Sequence, residues 1–321
     1  MNYINYVKQS PMSMSGMGGP VGALNFHSGS SNVWYGVRGV SYGGIRNPGP
    51  GFSNRLDYIT IQTTGNATSL GNTGTTRVAP AGLSGNGRGL FAGGREAPSN
   101  NQLTQIRYMT LISGSSTSVF GQLTTATRHS GGASDGLRGL YFGGFGGDGM
   151  IDYVTIASTG DAQDFGDLDG GGNGGAAGNN ATRAVYANTY DDLEYVTIQT
   201  LGNSSDFGTL TQNRDDNCAA TGDEATDRIV WGPGEGPSVA QKRMDTVTVS
   251  TTGNATEFGN LSFSSIKRGG LSDGTRGMWV GSSTPSYGDR IDYITISSSG
   301  SSSDFGDLSE GRYNPGCASG S

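Results

Sequence analysis

The chain has 321 residues, of which 58 are glycine and 33% are hydrophobic, and its net charge is −7. Glycine at this level without a G-X-Y period excludes collagen, and the β-branched and aromatic runs between the glycines argue against disorder. The acidic balance and the absence of any Lys/Arg-rich segment leave no electrostatic footprint for nucleic acid.

Residues 1–30 precede the repetitive part of the chain. They hold no charged segment followed by an apolar run, so no secretory signal is expected and synthesis in a cytoplasm is expected. Asn2-Tyr3-Ile4-Asn5-Tyr6-Val7 alternates polar and apolar residues and fits one strand. Tyr3, Tyr6, Met12, Met14 and Met17 suit a docking arm that orders on a partner, because Met fits irregular apolar contacts and Tyr anchors interfaces. A frayed terminus is the plain alternative.

From residue 31 to 321 one unit recurs. An arginine opens it at Arg38, Arg88, Arg138, Arg183, Arg228 and Arg276, at intervals of 45 to 50 residues. An apolar strand follows each arginine, as in Leu140-Tyr141-Phe142, and four copies close on Gly or Gly-Gly. A second strand comes next, with copies such as Asp57-Tyr58-Ile59-Thr60-Ile61 and Asp292-Tyr293-Ile294-Thr295-Ile296. Bulk on both faces of this strand predicts a position between neighbouring sheets. Gly65-Asn66, Gly202-Asn203 and Gly253-Asn254 then supply turns that accept positive φ. A short strand runs through Phe120-Gly121, Phe165-Gly166, Phe207-Gly208, Phe258-Gly259 and Phe305-Gly306, with Leu70-Gly71 as the weakest copy. A last strand follows Arg77, Arg128, Arg214, Arg268 and Arg312; the third unit has a glycine run over 170–178 instead.

Four short strands in ~47 residues predict all-β propeller blades, with a parallel solenoid as the competing architecture. The last unit ends on the Arg312 stretch with no Gly-Gly strand behind it. The first begins on the Gly-Gly strand at Arg38 with no Arg-led stretch before it. The two ends are expected to share one blade, giving six blades and a ring with no open sheet edge.

The Gly-Gly strand, the Tyr strand, the Phe-Gly strand and the trailing Arg together resemble kelch repeats over residues 32–321, with Phe where kelch usually has Trp. That resemblance implies that the Arg-led strand is innermost. The finer pattern, carried by residues 57–71, 245–261 and 292–308, resembles a repeat of tailed-phage virion structural proteins, especially those of cyanophages. It implies a non-enzymatic virion protein, associated with capsid, neck or tail, present in multiple copies per particle and held to other virion proteins through the 1–30 arm. The alternative is an adhesin of a tail or head fibre that binds host-surface glycan through irregular loops such as 97–104 and 233–242, with Phe145, Tyr190 and Tyr287 as scattered aromatic candidates.

Chemistry has little to work with in this sequence. His27 and His129 are the only histidines, and no catalytic residue, cofactor or metal is expected. Asp164, Asp167, Asp169 and Asn173 offer oxygen atoms but no complete calcium-loop spacing. The Asp-Phe-Gly triplets at Asp164, Asp206 and Asp304 are expected to be turn elements, with Asp accepting backbone N–H bonds. Asn66, Asn180, Asn203 and Asn254 are also read as turn residues. Cys218 and Cys317 fall at similar repeat positions in different units and are expected to be separate free thiols. No apolar run approaches a membrane span. The six opening arginines are expected to pair with the acid that starts the next strand (Asp57, Asp152, Glu194, Asp245, Asp292), with an anion site as the rival reading and Arg107 as the exception.

Overall fold

The computed structural model describes residues 35–46, 51–214, 220–223, 226–236, 241–284 and 288–320. The chain separates into Met1–Ser31 and Asn32–Ser321, and every described residue belongs to the second unit. The proposed arm, with Tyr3, Tyr6, Met12, Met14 and Met17, lies outside the described residues, as do His27, Cys218 and Tyr287. No helix occurs among the described residues, so none there is long and apolar enough to cross a membrane.

The described chain is all β. It forms small antiparallel sheets of four strands, in a propeller-like arrangement. Sheet I is ordered Gly316–Gly320, Arg38–Tyr42, Arg55–Thr60, Thr68–Asn72. Sheet II is Ala81–Gly85, Arg88–Ala92, Leu103–Thr110, Ser118–Thr127, and sheet III is Gly131–Ser134, Arg138–Phe142, Met150–Thr155, Gln163–Asp167. Sheet IV is Ala176–Asn179, Arg183–Ala187, Asp192–Thr197, Ser205–Thr209. Sheet V is Ala220–Asp223, Arg228–Trp231, Arg243–Thr248, Thr256–Asn260, and sheet VI is Gly269–Ser272, Arg276–Ser282, Gly288–Thr295, Ser303–Asp307. A further three-stranded sheet joins Arg312–Tyr313, Ile45–Arg46 and Gly51–Phe52.

Sheet I draws its first strand from the far end of the chain. Val40 pairs with Ala318 on one side and with Tyr58 on the other. The first strands also lie side by side between sheets: Gly316–Gly320 against Ala81–Gly85, then Gly131–Ser134, Ala176–Asn179, Ala220–Asp223, Gly269–Ser272 and back to Gly316–Gly320. These strands are rich in Gly, Ala and Ser because their backbones nearly touch. A Cβ on Gly132 would drive into the Gly82 carbonyl, and one on Gly82 into that of Cys317.

The core sits between sheets. Each of six apolar clusters takes its residues from two successive sheets, including one that joins sheet VI to sheet I through Ile59, Ile61, Met278, Ile291 and Phe305. The second-strand bulk predicted from sequence is used this way: Ile59 faces sheet VI while Leu56 faces sheet II. Within sheets II, III, IV and VI the Tyr of the third strand meets the Phe of the outer strand edge-on, with centroids 5.7–6.1 Å apart. Such pairs add about 0.5–1.5 kcal/mol beyond the area they bury.

Candidate functional site

The repeated polar side chains meet at the boundaries between sheets, in two tiers. The first tier uses the opening arginines. Each donates to a backbone carbonyl of the next sheet, and all but Arg228 lie over the Tyr of their own sheet. Arg88 sits 4.9 Å from the Tyr108 centroid and donates to Ile156 at 2.9 Å. Arg138 over Tyr153 donates to Ile198 at 2.9 Å, and Arg276 over Tyr293 donates to Ile61 at 2.8 Å. Arg183 over Tyr195 reaches Ser250, and Arg38 over Tyr58 reaches Ile112. Arg228 reaches Ile296 at 3.3 Å and Ser297 at 3.2 Å. The expected pairing of these arginines with the strand-opening acids is therefore corrected. A Tyr ring and a neighbouring carbonyl hold the guanidinium, and the acids lie further along the strand.

Those acids form the second tier, with the trailing arginines. Arg312 lies 3.0 Å from Asp57, Arg268 2.6 Å from Asp292, and Arg214 against Asp245, all with buried side chains. Each arginine lies in the segment that leads into the first strand of the carboxylate's own sheet. The same carboxylates accept from Ser309, Ser262 and Thr211 of the preceding sheet's outer segment. Burial pulls the pKa of Arg268 and of Arg312 down, and Asp292 and Asp57, respectively, offset this. Where the third unit lacks an arginine, Glu194 accepts instead from the N–H groups of Asp169 and Gly170, at 2.8 and 3.0 Å.

Asp152 stands apart. It is 1% exposed and accepts from the N–H and hydroxyl of Thr124, both at 2.8 Å. The residue seven places after Phe120 is Thr127, buried where Arg77, Arg214 and Arg312 sit after Leu70, Phe207 and Phe305. Arg128, one place later, lies over Phe145. Burial therefore raises the Asp152 pKa; the Thr124 bonds oppose the shift, and Asp164 reinforces it. Arg268 reaches Asp292 from ten places after Phe258, past Lys267 at φ +62°.

The Gly-Asn turns tie the outer strands. Gly65, Gly160, Gly202, Gly253 and Gly300 donate to the carbonyls of Phe305, Phe120, Phe165, Phe207 and Phe258 of the preceding sheets, at 2.7–2.9 Å. The side-chain oxygens of Asn66, Asn203 and Asn254 accept from the backbone N–H groups of Asp307, Asp167 and Thr209, respectively. The glycine after each Phe exists for this contact, since a Cβ on Gly121, Gly166, Gly208, Gly259 or Gly306 would strike the next sheet's turn. The Asp-Phe-Gly triplets lie in the outer strands rather than in turns, which corrects the turn expectation, although Asp164 does accept from Gly166 N–H at 3.1 Å. Asn180 accepts from Thr182 and Arg183 in the same manner.

The boundary between sheets I and II keeps the Arg38 bond to Ile112 but departs from the rest. Arg107 replaces the acid and bonds Thr117 of its own sheet. Ser115-Ser116 replaces Gly-Asn, and Gly114 bonds Thr110 within its own turn. A Cβ on Gly71 would meet nothing within 4 Å.

Cavities between the first strands are small, about 100 and 70 Å³. Cys317 lines both, is buried as a free thiol, and burial pushes its pKa up to about 12. Of the aromatic candidates, Phe145 lies under Arg128 and against His129, while Tyr190 is exposed. Among the described residues no group of three or more His, Cys, Asp or Glu could hold a metal ion.

A larger groove, about 370 Å³, lies in sheet V beside Arg228. Its lining includes Thr246, Thr248, Thr251, Thr252, Asn254 and Thr256. Thr246 stands in register with Val230, the place that Tyr153 takes opposite Leu140 in sheet III. The sequence carried the signal, in Asp245-Thr246-Val247 where other copies read Asp-Tyr-Ile; its meaning depended on knowing that the ring lies under the arginine.

No family model matches the sequence, and comparison with curated proteins returns no relative.

Proposed function

We propose that the Asn32–Ser321 unit is a closed six-bladed kelch-like β-propeller and that the chain is a non-enzymatic virion structural protein of the tailed-phage type, attached to other virion proteins through residues 1–30. The observation that carries the reading is the cycle of contacts between sheets. Six apolar clusters, the row of first strands and the chain of arginine-to-carbonyl bonds all run from sheet to sheet and return to sheet I. The repeated Arg, Asp, Asn and Gly are spent on holding sheets together, which suits a rigid displayed scaffold. The virion assignment draws on the likeness of the 57–71, 245–261 and 292–308 copies to phage repeats.

Deletion of residues 1–30 tests it. The truncated chain is expected to fold and to be missing from purified particles. Normal incorporation would end the docking role, and absence of the full-length chain from particles would end the virion reading. A second reading, recognition of host-surface glycan, is favoured by one feature, the groove beside Arg228.

A further inference from the structure

Five of the six opening arginines lie over a tyrosine ring of their own sheet. Among the described residues no ring lies over Arg228. Thr246 occupies the ring's position and turns its hydroxyl to the Ile229 carbonyl at 2.8 Å. Thr246 is smaller than the ring it replaces, and it lines a groove of about 370 Å³ beside that guanidinium. That guanidinium still donates to the Ile296 and Ser297 carbonyls at 3.2–3.3 Å, which fixes its position at the groove.

The groove's charge is one-sided as well. The equivalent groove of sheet III, about 330 Å³, contains Arg138, Tyr153 and Asp161, so its cation has both a ring and a nearby carboxylate. In sheet V, Asn254 replaces Asp161, and no acid lines the groove. Glu257, on the adjoining strand, is paired with Arg243 at 3.4 Å. The volume falls within the ~300–1,000 Å³ of small-ligand sites.

We propose that this groove binds a sugar ring bearing a carboxylate. Arg228 takes the carboxylate, because a planar fork of N–H donors matches two carboxylate oxygens. The hydroxyls of Thr248, Thr251, Thr252 and Thr256 and the Asn254 amide both donate and accept, as sugar hydroxyls do. The sugar ring takes the slot that tyrosine fills in the other sheets. In ligand class the proposal rests on the glycan reading; in location it rests on the groove alone.

The test uses the full chain with glucuronate and glucose as probes, binding being followed by NMR titration. Glucuronate is expected to bind and glucose to bind about ten- to a hundredfold more weakly, the worth of hydrogen bonds to a charged group. Thr246→Tyr restores the residue used at Tyr58, Tyr108, Tyr153, Tyr195 and Tyr293, so it should fold normally, and it should abolish binding. Arg228→Gln should also abolish it, whereas Arg138→Gln should leave it unchanged. Glucuronate binding that survives Thr246→Tyr would overturn the site while leaving a glycan role elsewhere on the protein. Failure of the parent chain to bind glucuronate overturns the site, and failure of a wider panel of acidic and neutral glycans would remove the glycan reading with it.

Discussion

Arg312, near the end of the chain, lies 3.0 Å from the carboxylate of Asp57, and neither side chain is exposed. Arg312 also donates to the Ser41 hydroxyl at 3.1 Å and to the Ser41 carbonyl, so one guanidinium holds both early strands of sheet I. The strand Gly316–Gly320, which completes that sheet, begins four residues later. Removing one member of a buried pair leaves the other charged without compensation, at a cost of about 3–5 kcal/mol. Arg312→Ala and Asp57→Ala should each destabilise the protein by about that much in urea unfolding, and the double variant by far less than their sum. Additive losses would mean that the two groups do not act as a pair.

Asp152 has the same strand position as Asp57 but no arginine. Its folded pKa is raised, so protonation stabilises the folded state. That contribution is complete below the unfolded value of about 3.9 and is lost as pH rises through the folded pKa, leaving a cost at neutral pH. Asp152→Asn keeps an acceptor for the Thr124 N–H and a donor for the Thr124 hydroxyl. It should be at least as stable as the parent at pH 7, with the difference closing in acid. Asp245→Asn, which strips Arg214 of its counter-charge, should lower stability markedly at pH 7. Melting temperatures across pH 3–8 compare the two, and equal losses at pH 7 would refute the distinction.

These pairs mark how far the sequence could be read. The number of units, their strand order and the sharing of sheet I by both ends rest on local signals: apolar runs, Gly-Asn turns and Phe-Gly strands recurring in register. Partner choice does not rest on local signals. Arg38 and Arg312 both lie within reach of the third strand of sheet I, and only the register decides that Arg38 covers Tyr58 while Arg312 meets Asp57. Arg128 aligns by eye with the trailing arginines, yet one extra residue places Thr127 in the buried position instead. The sheet I–II anomaly, by contrast, was visible as Leu70 and Arg107, two breaks in otherwise regular columns.

Gly121 and Gly160 face each other across the boundary of sheets II and III but differ in what they tolerate. A Cβ on Gly121 would overlap the Gly160 carbonyl, whereas one on Gly160 would meet nothing within 4 Å. The obstruction is backbone, which cannot rotate away. Gly121→Ala should therefore cost about 1–3 kcal/mol or more. Gly160→Ala should stay within about 0.5 kcal/mol of the parent, as an unobstructed surface change does. Chemical denaturation of both variants decides the matter, and similar losses would mean that the close approach is not what the glycine serves.

The boundary of sheets I and II retains its apolar cluster, through Val40, Leu56, Phe91, Met109 and Leu111, but lacks the outer ties of the other boundaries. The strand Thr68–Asn72 is accordingly the most exposed of the outer strands, with only Leu70 part-buried. In sheets III to VI the outer strand buries its Phe, and the next turn's Gly N–H bonds to that Phe's carbonyl in sheets II to VI. Local opening follows the regions with fewest buried contacts and unpaired backbone. Amide exchange should therefore be fastest, among the outer strands, over residues 68–72, with Phe165, Phe207 and Phe305 and their neighbours protected for much longer. Replacing Ser115-Ser116 with Gly-Asn and Leu70 with Phe should slow exchange there by supplying the missing tie. Exchange at 68–72 as slow as at 163–167 in the parent would show that the ties do not set the stability of the outer strands.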